Sequence, residues 1–169
     1  MRSVKRYCEG AVALALLLNV GAALANDLVP EHRYAGLGVG NHLDLSQAGS
    51  FNQTRVEQAG ATQRLSQTQT GIANKASIVQ GGTSNLAAAY QVGLANDLTL
   101  NQSGSYNQAA VVQAGSYNQA AVVQSGAYNQ AFVGQYGQGN QASVTQAGFG
   151  GTVSVTQYGN GSVATVTQQ

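Results

Sequence analysis

Residues 104–124 read GSYNQAAVVQAGSYNQAAVVQ. Ten residues return unchanged after 11 positions, and the same spacing governs the chain on both sides. Glycine recurs at Gly38, Gly49, Gly60, Gly71, Gly82, Gly93, Gly104, Gly115, Gly126, Gly137, Gly148 and Gly159. Glutamine recurs without a missing step at Gln47, Gln58, Gln69, Gln80, Gln91, Gln102, Gln113, Gln124, Gln135, Gln146, Gln157 and Gln168. Asparagine stands six places before it at Asn41, Asn52, Asn74, Asn85, Asn96, Asn107, Asn118, Asn129 and Asn140. In the remaining units Gln63, Gly151 and Ser162 take that place. The unit G-x-x-N-x-A-x-V-x-Q-x therefore occurs twelve times. So fixed a period marks a solenoid, in which each unit buries its apolar face only against its neighbours.

Inside the unit the period is two. Asn118, Ala120, Val122 and Gln124 fall on one face of a strand, and Gln119, Ala121 and Val123 on the other. The fourth strand position holds Val56, Ile78, Leu100, Val111, Val122, Val133, Val144, Val155 and Val166, mostly β-branched and suited to a strand. These predict an aliphatic seam. The recurring glycines supply φ > 0 and predict the turns, with strands of about seven residues and turns of about four. Two units then make a 22-residue strand-turn-strand-turn coil. The expected fold is all-β: a β-solenoid of six coils and two parallel sheets, about 25–30 Å long at ~4.8 Å per coil.

Charge tests the facing. The charged residues after Gly38 are Asp44, Arg55, Glu57, Arg64, Lys75 and Asp97, and all fall on outward positions. An inward charge would cost several kcal/mol, about what a buried unpaired ion costs. The same parity turns Asn and Gln inward. Stacked amides satisfy each other as ladders along the axis. Gln67 stands where the repeat prefers an aliphatic, so the second coil is expected to have the weakest core.

Composition agrees with an ordered polar repeat. Only 8% of residues are charged, against about 25% in ordinary soluble domains. A net charge of +1 offers no basic footprint for nucleic acid and little repulsion to keep copies apart. Residues 1–25 read as a signal peptide: Arg2, Lys5 and Arg6, then the apolar run from Ala11 to Val20, then Ala23-Leu24-Ala25 as cleavage site. The apolar run is too short to span a membrane, and no longer one follows. Cys8 is the sole cysteine, so cleavage leaves no disulfide or thiolate site. Residues 26–37, with the sole proline Pro30, read as a flexible mature N-terminus and candidate export address. The repeat domain is expected over 38–169.

After Asp97 no charged residue occurs through Gln169. Natural β-proteins block edge pairing with charges, prolines and bulges, and this half lacks charge and proline. Two open, mutually matching edges make a head-to-tail contact that does not close, hence a cross-β, amyloid-competent filament.

The run Gln113-Ala-Gly115-Ser-Tyr-Asn118-Gln-Ala120-Ala-Val-Val-Gln124 resembles the curlin repeat, over Gly38 to Gln168. Curlins are the subunits of curli, the functional amyloid fibres of bacterial surfaces. The resemblance implies secretion through an outer-membrane channel with accessory factors, assembly outside the cell, and roles in biofilm, adhesion and aggregation. It assigns Asn118, Gln124 and their counterparts to the amide ladders. Curlins comprise a major, fibre-forming subunit and a minor, nucleating one. The near-uniform Asn-x-Ala units, the segment LSQAGSFNQTRVEQAG (45–60) and the ending Val166-Thr167-Gln168-Gln169 are similar to the minor type. That type implies the major curlin as partner. The alternative is the major subunit itself. The minor type tends to have a basic last repeat, whereas residues 159–169 carry no charge.

No other chemistry emerges. His32 and His42 are the only histidines and have no convergent third ligand, so no metal site is expected. The periodic glycines match no phosphate loop, and no Ser-His-Asp grouping or carboxylate pair forms for catalysis. No enzyme and no cofactor are expected. Tyr106, Tyr117 and Tyr128, before the repeat asparagine, and Tyr136 and Tyr158 are expected to stack along the axis. The outward hydroxyls from Thr152 to Thr156 and at Thr165 and Thr167 raise a monomeric ice- or sugar-binding solenoid as a third class, but the row does not extend through the earlier coils.

Overall fold

The computed structural model describes residues 13–14 and 40–169. Every regular element among them is a strand: β1 Ala13–Leu14, β2 His42–Ser50, β3 Gln53–Ala61, β4 Arg64–Ile72, β5 Lys75–Thr83, β6 Leu86–Leu94, β7 Asp97–Ser105, β8 Gln108–Ser116, β9 Gln119–Ala127, β10 Gln130–Gln138, β11 Gln141–Phe149, β12 Thr152–Asn160 and β13 Val163–Gln168. Even-numbered strands form one sheet in the order β2-β4-β6-β8-β10-β12, and β3-β5-β7-β9-β11-β13 form the other. Within each, neighbours run parallel and pair each residue with the one 22 positions on, as Ala87↔Ala109 and Ala109↔Ala131. This is the expected two-sheet solenoid of six coils.

The expected signal peptide and N-terminal segment lie outside the described residues, apart from β1. That two-residue strand pairs antiparallel with the open edge of β3, Ala13 opposite Glu57 and Leu14 opposite Val56.

The corners differ from expectation. Strands β2 to β12 have nine residues, and only two residues separate consecutive strands, as Tyr106 and Asn107 do between β7 and β8. The repeat glycine sits inside the strand, second from its end, and a second left-handed residue makes the corner itself. Gly104 has φ 104° and Tyr106 has φ 57°. The ladder continues through the glycines because they stack on one another. A Cβ on Gly104 would lie 2.0 Å from the carbonyl oxygen of Gly126 in the next coil. No side chain fits between them, so glycine here serves close approach as much as φ. The corner residue points outward and tolerates Phe51, Ala73, Tyr117 or Tyr128 at some strain.

Between the sheets the core is two thin apolar columns per strand stack. Val56, Ile78, Leu100, Val111, Val122, Val133, Val144 and Val155 are buried. So are the alanines two positions earlier, among them Ala109, Ala120 and Ala131. Val166 is only partly buried, because β13 ends its stack and nothing covers it from above. Each fully buried valine contributes about 1.5–3 kcal/mol by leaving water. None of the six outward charged residues is buried. Arg55 pairs with Glu57 on the same strand face, and Lys75 stands opposite Asp97 on the adjacent strand.

Candidate functional site

Glutamine builds the axis of the molecule. In each sheet the inward Gln donates an Nε2 hydrogen to Oε1 of the Gln one coil on. One column runs Gln47, Gln69, Gln91, Gln113, Gln135, Gln157 with N···O distances of 2.6–3.0 Å. The other runs Gln58, Gln80, Gln102, Gln124, Gln146, Gln168 at 2.8–3.2 Å. The second Nε2 hydrogen crosses to a backbone carbonyl of the facing sheet, as from Gln113 to Asp97 O and from Gln124 to Gln108 O, both 3.0 Å. One amide thus ties coil to coil and sheet to sheet.

Asparagine works differently from the simple ladder. Its Oδ1 accepts the backbone N–H of the residue at the same position one coil on, as Asn96 Oδ1 does from Asn118 N at 3.1 Å. Its Nδ2 donates to the stacked glycine carbonyl, as Asn107 does to Gly126 at 3.0 Å. Amide-to-amide contacts of 3.0–3.1 Å also join Asn52, Asn74, Asn96, Asn118 and Asn140. At the other corner Asn129 donates to Asn107 at 3.2 Å. Asn41 and Asn85 share the glycine-carbonyl bond, to Gly60 and Gly104. The asparagine is therefore a corner clamp on the left-handed backbone. Periodicity revealed its inward facing; its backbone partners follow from the two-residue corner, which was not foreseen. A signal for that corner was present: Gly40, Gly139, Gly150 and Gly161 stand immediately before the asparagine position, and all have positive φ.

The two ends of the solenoid are unlike, and both are open except where β1 lies along two residues of β3. All glutamine ladder bonds point the same way, N–H toward the C-terminal end. Gln47 Oε1, at the first coil, is buried without a hydrogen-bond partner. At the last coil Gln157 and Gln168 are the final acceptors of their columns, receiving from Gln135 and Gln146. The strands β2 and β12 each have a neighbour on one side only. The clamp is absent from the last coil, where Gly151 and Ser162 carry no side-chain amide oxygen to accept from a further coil; their backbone N–H groups donate back to Asn129 Oδ1 and Asn140 Oδ1 at 3.0 Å.

The second coil is the least satisfied part. Gln67 is buried at the aliphatic position and donates to Thr54 Oγ1 at 3.0 Å, but its Oε1 has no partner. Gln63, in the asparagine place, likewise leaves a buried Oε1 unpaired. A leftover buried polar atom costs about 1–3 kcal/mol.

Four of the five tyrosines expected to stack along the axis do so. Tyr106 and Tyr128 have ring centroids 5.0 Å apart, Tyr136 and Tyr158 5.1 Å. Phe149 tilts against Tyr128 at 5.2 Å. Tyr117 lies on the opposite corner and is exposed. Among the described residues no cluster of three His, Cys, Asp or Glu side chains converges, and no helix is long and apolar enough to cross a membrane.

Comparison with known families gives three overlapping matches to the curlin associated repeat, at residues 73–104, 93–126 and 118–148. They run without a gap over residues 73–148 and support the curlin family. No curated protein matches the chain.

Proposed function

We propose that this chain is a curli subunit that nucleates the polymerisation of the major curlin into extracellular amyloid fibres at the cell surface. The observation that carries the fibre reading is the matched pair of open ends. The first coil presents a buried carbonyl oxygen on Gln47 without a donor. The last coil presents Gln157, whose column ends without an acceptor beyond it. Adding one copy to another with the same ~4.8 Å step continues every parallel sheet and both glutamine columns. An exposed, ready-paired parallel edge also saves an incoming curlin the slow step of closing its first coil.

The nucleating role rests on the near-uniform Asn-x-Ala units and on segment 45–60. Residues 1–25 and 26–37 would direct the chain through the inner membrane and then to an outer-membrane curli channel. The fibre would serve biofilm, adhesion and aggregation.

The test is seeding. Purified mature chain, added in sub-stoichiometric amount to freshly purified major curlin, is expected to shorten the thioflavin lag. An unchanged lag sinks the nucleator role. If the chain itself supplies the fibre mass, the major-subunit alternative stands instead.

A further inference from the structure

The outer faces of the two sheets are unlike. The odd-numbered sheet presents Arg55, Glu57, Lys75 and Asp97, followed by amides and hydroxyls along most of the remaining strands. The even-numbered sheet carries charge only on β2 and β4, at Asp44 and Arg64. From β6 to β10 its outward positions are mainly apolar, with Leu86, Tyr90 and Phe132 at 40%, 47% and 36% exposure.

This apolar band has relief. On β10, Phe132 and Tyr136 lean over Gly134, which is buried although it faces outward. A Cβ on Gly134 would lie 3.2 Å from Tyr136 Cε2 and 3.3 Å from Phe132 Cε1. The two rings make a ridge. On the adjoining strand β8 the partners of Phe132, Gly134 and Tyr136 are Ala110, Val112 and Ala114. These short side chains make a trough beside the ridge.

We infer that this face joins a second copy of the chain, fibre to fibre, through a two-fold axis along the strand direction between β8 and β10. The inference rests on the head-to-tail fibre proposed above. The axis exchanges β8 with β10, so the Phe132–Tyr136 ridge of each copy enters the Ala110–Ala114 trough of the other. It exchanges β6 with β12, bringing Tyr90 over Thr156. It also places β4 over the β2 of the next copy in the opposing fibre. There Arg64 falls opposite His42 and one outward position from Asp44, so the only charges on this face meet their opposites. Self-complementary relief and charge about one axis are what an isologous contact requires.

Size dictates when the contact forms. Three strands at ~4.8 Å spacing and about seven residues each give the band roughly 300 Å². A stable interface needs about 800 Å² per partner. Single subunits therefore stay apart, whereas a fibre repeats the band every six coils and passes that size within about three copies. Lateral association follows polymerisation and does not precede it.

Mature wild-type chain and its Val112→Lys variant are compared by thioflavin kinetics, electron microscopy and low-speed sedimentation. The wild type is expected to form paired or bundled fibres. Val112→Lys is expected to polymerise with similar kinetics into single fibres, its low-speed pellet falling several-fold. Val123→Lys, on the outer face of the other sheet, is expected to bundle like the wild type. Arg64→Asp is expected to loosen the bundles, and Asp44→Arg with Arg64→Asp to restore them. The charge pair gives an independent reading should Val112→Lys fail to polymerise. Val112→Lys fibres that bundle normally, or an Arg64→Asp defect that the double exchange does not repair, overturn the inference. Wild-type fibres that remain single at every concentration overturn it too, while leaving the axial reading intact; a wild type that forms no fibre overturns both.

Discussion

At the scale of the residue, one methyl group separates tolerated from forbidden. Gly104 sits so close to Gly126 that Gly104→Ala must break the stack, in addition to placing alanine at φ 104°. It is expected to destabilise the coil by about 2 kcal/mol or more, read as faster hydrogen exchange at the β7–β8 corner. The neighbouring left-handed position has room. Ala95, at φ 53°, is expected to gain about 0.5 kcal/mol as Ala95→Gly, since relief of left-handed strain exceeds the entropy glycine adds to the unfolded chain. Facing is tested in the same way. Val111→Asp with Val122→Asp places two charges in the dry seam and is expected to abolish thioflavin-positive assembly. Ala110→Asp with Ala121→Asp, on outward positions, is expected to slow it only. Equal damage from both pairs would refute the assigned faces.

At the scale of the element, the strands are alike in length and unlike in quality. β4 holds Gln67 where its neighbours β2 and β6 hold Leu45 and Ala89. Gln67→Val removes an unpaired buried oxygen and adds apolar contact, while Thr54 keeps its bonds to Gln47 and Gln69. The exchange is expected to stabilise the first two coils by about 1–2 kcal/mol, seen as slower proteolysis within residues 42–72. The faces, the coil, both sheets and the weakness at Gln67 were legible in the sequence, because side-chain alternation follows directly from the pleat. The corner was not. Glycine at position one drew attention to φ > 0, while Phe51, Tyr106 and Tyr117 hid the second left-handed residue. Hydrogen-bond direction was hidden for another reason. A period tells which residues stack, but not which end of an amide points up, and the clamp role of asparagine depends on that.

At the scale of the whole molecule, the two ends decide behaviour. The glutamine columns can pass from one copy to the next, but the asparagine clamp cannot. Gly151 and Ser162 offer no amide oxygen to the backbone N–H groups of Asn41 and Asn52 in an added copy. Each junction is thereby weaker than the contact between two coils of one chain. Ser162→Asn restores one acceptor and is expected to lower the critical concentration for fibre growth about fivefold, given about 1 kcal/mol per hydrogen bond. Gly151→Asn is the poorer choice, because a Cβ there would meet Gln168 Oε1 at 2.8 Å.

The uniform direction of the glutamine bonds has an electrical consequence. In a parallel sheet the backbone dipoles largely cancel, whereas every side-chain amide in the two glutamine columns is oriented the same way. Their moments add, as peptide moments do along a helix. The asparagine amides oppose them, with Oδ1 toward the C-terminal end, so the moment of a fibre is the difference between the two sets. A single fibre should turn in an applied field and generate second-harmonic light. Two fibres related by the two-fold axis oppose their poles, so both signals should fade as bundles form.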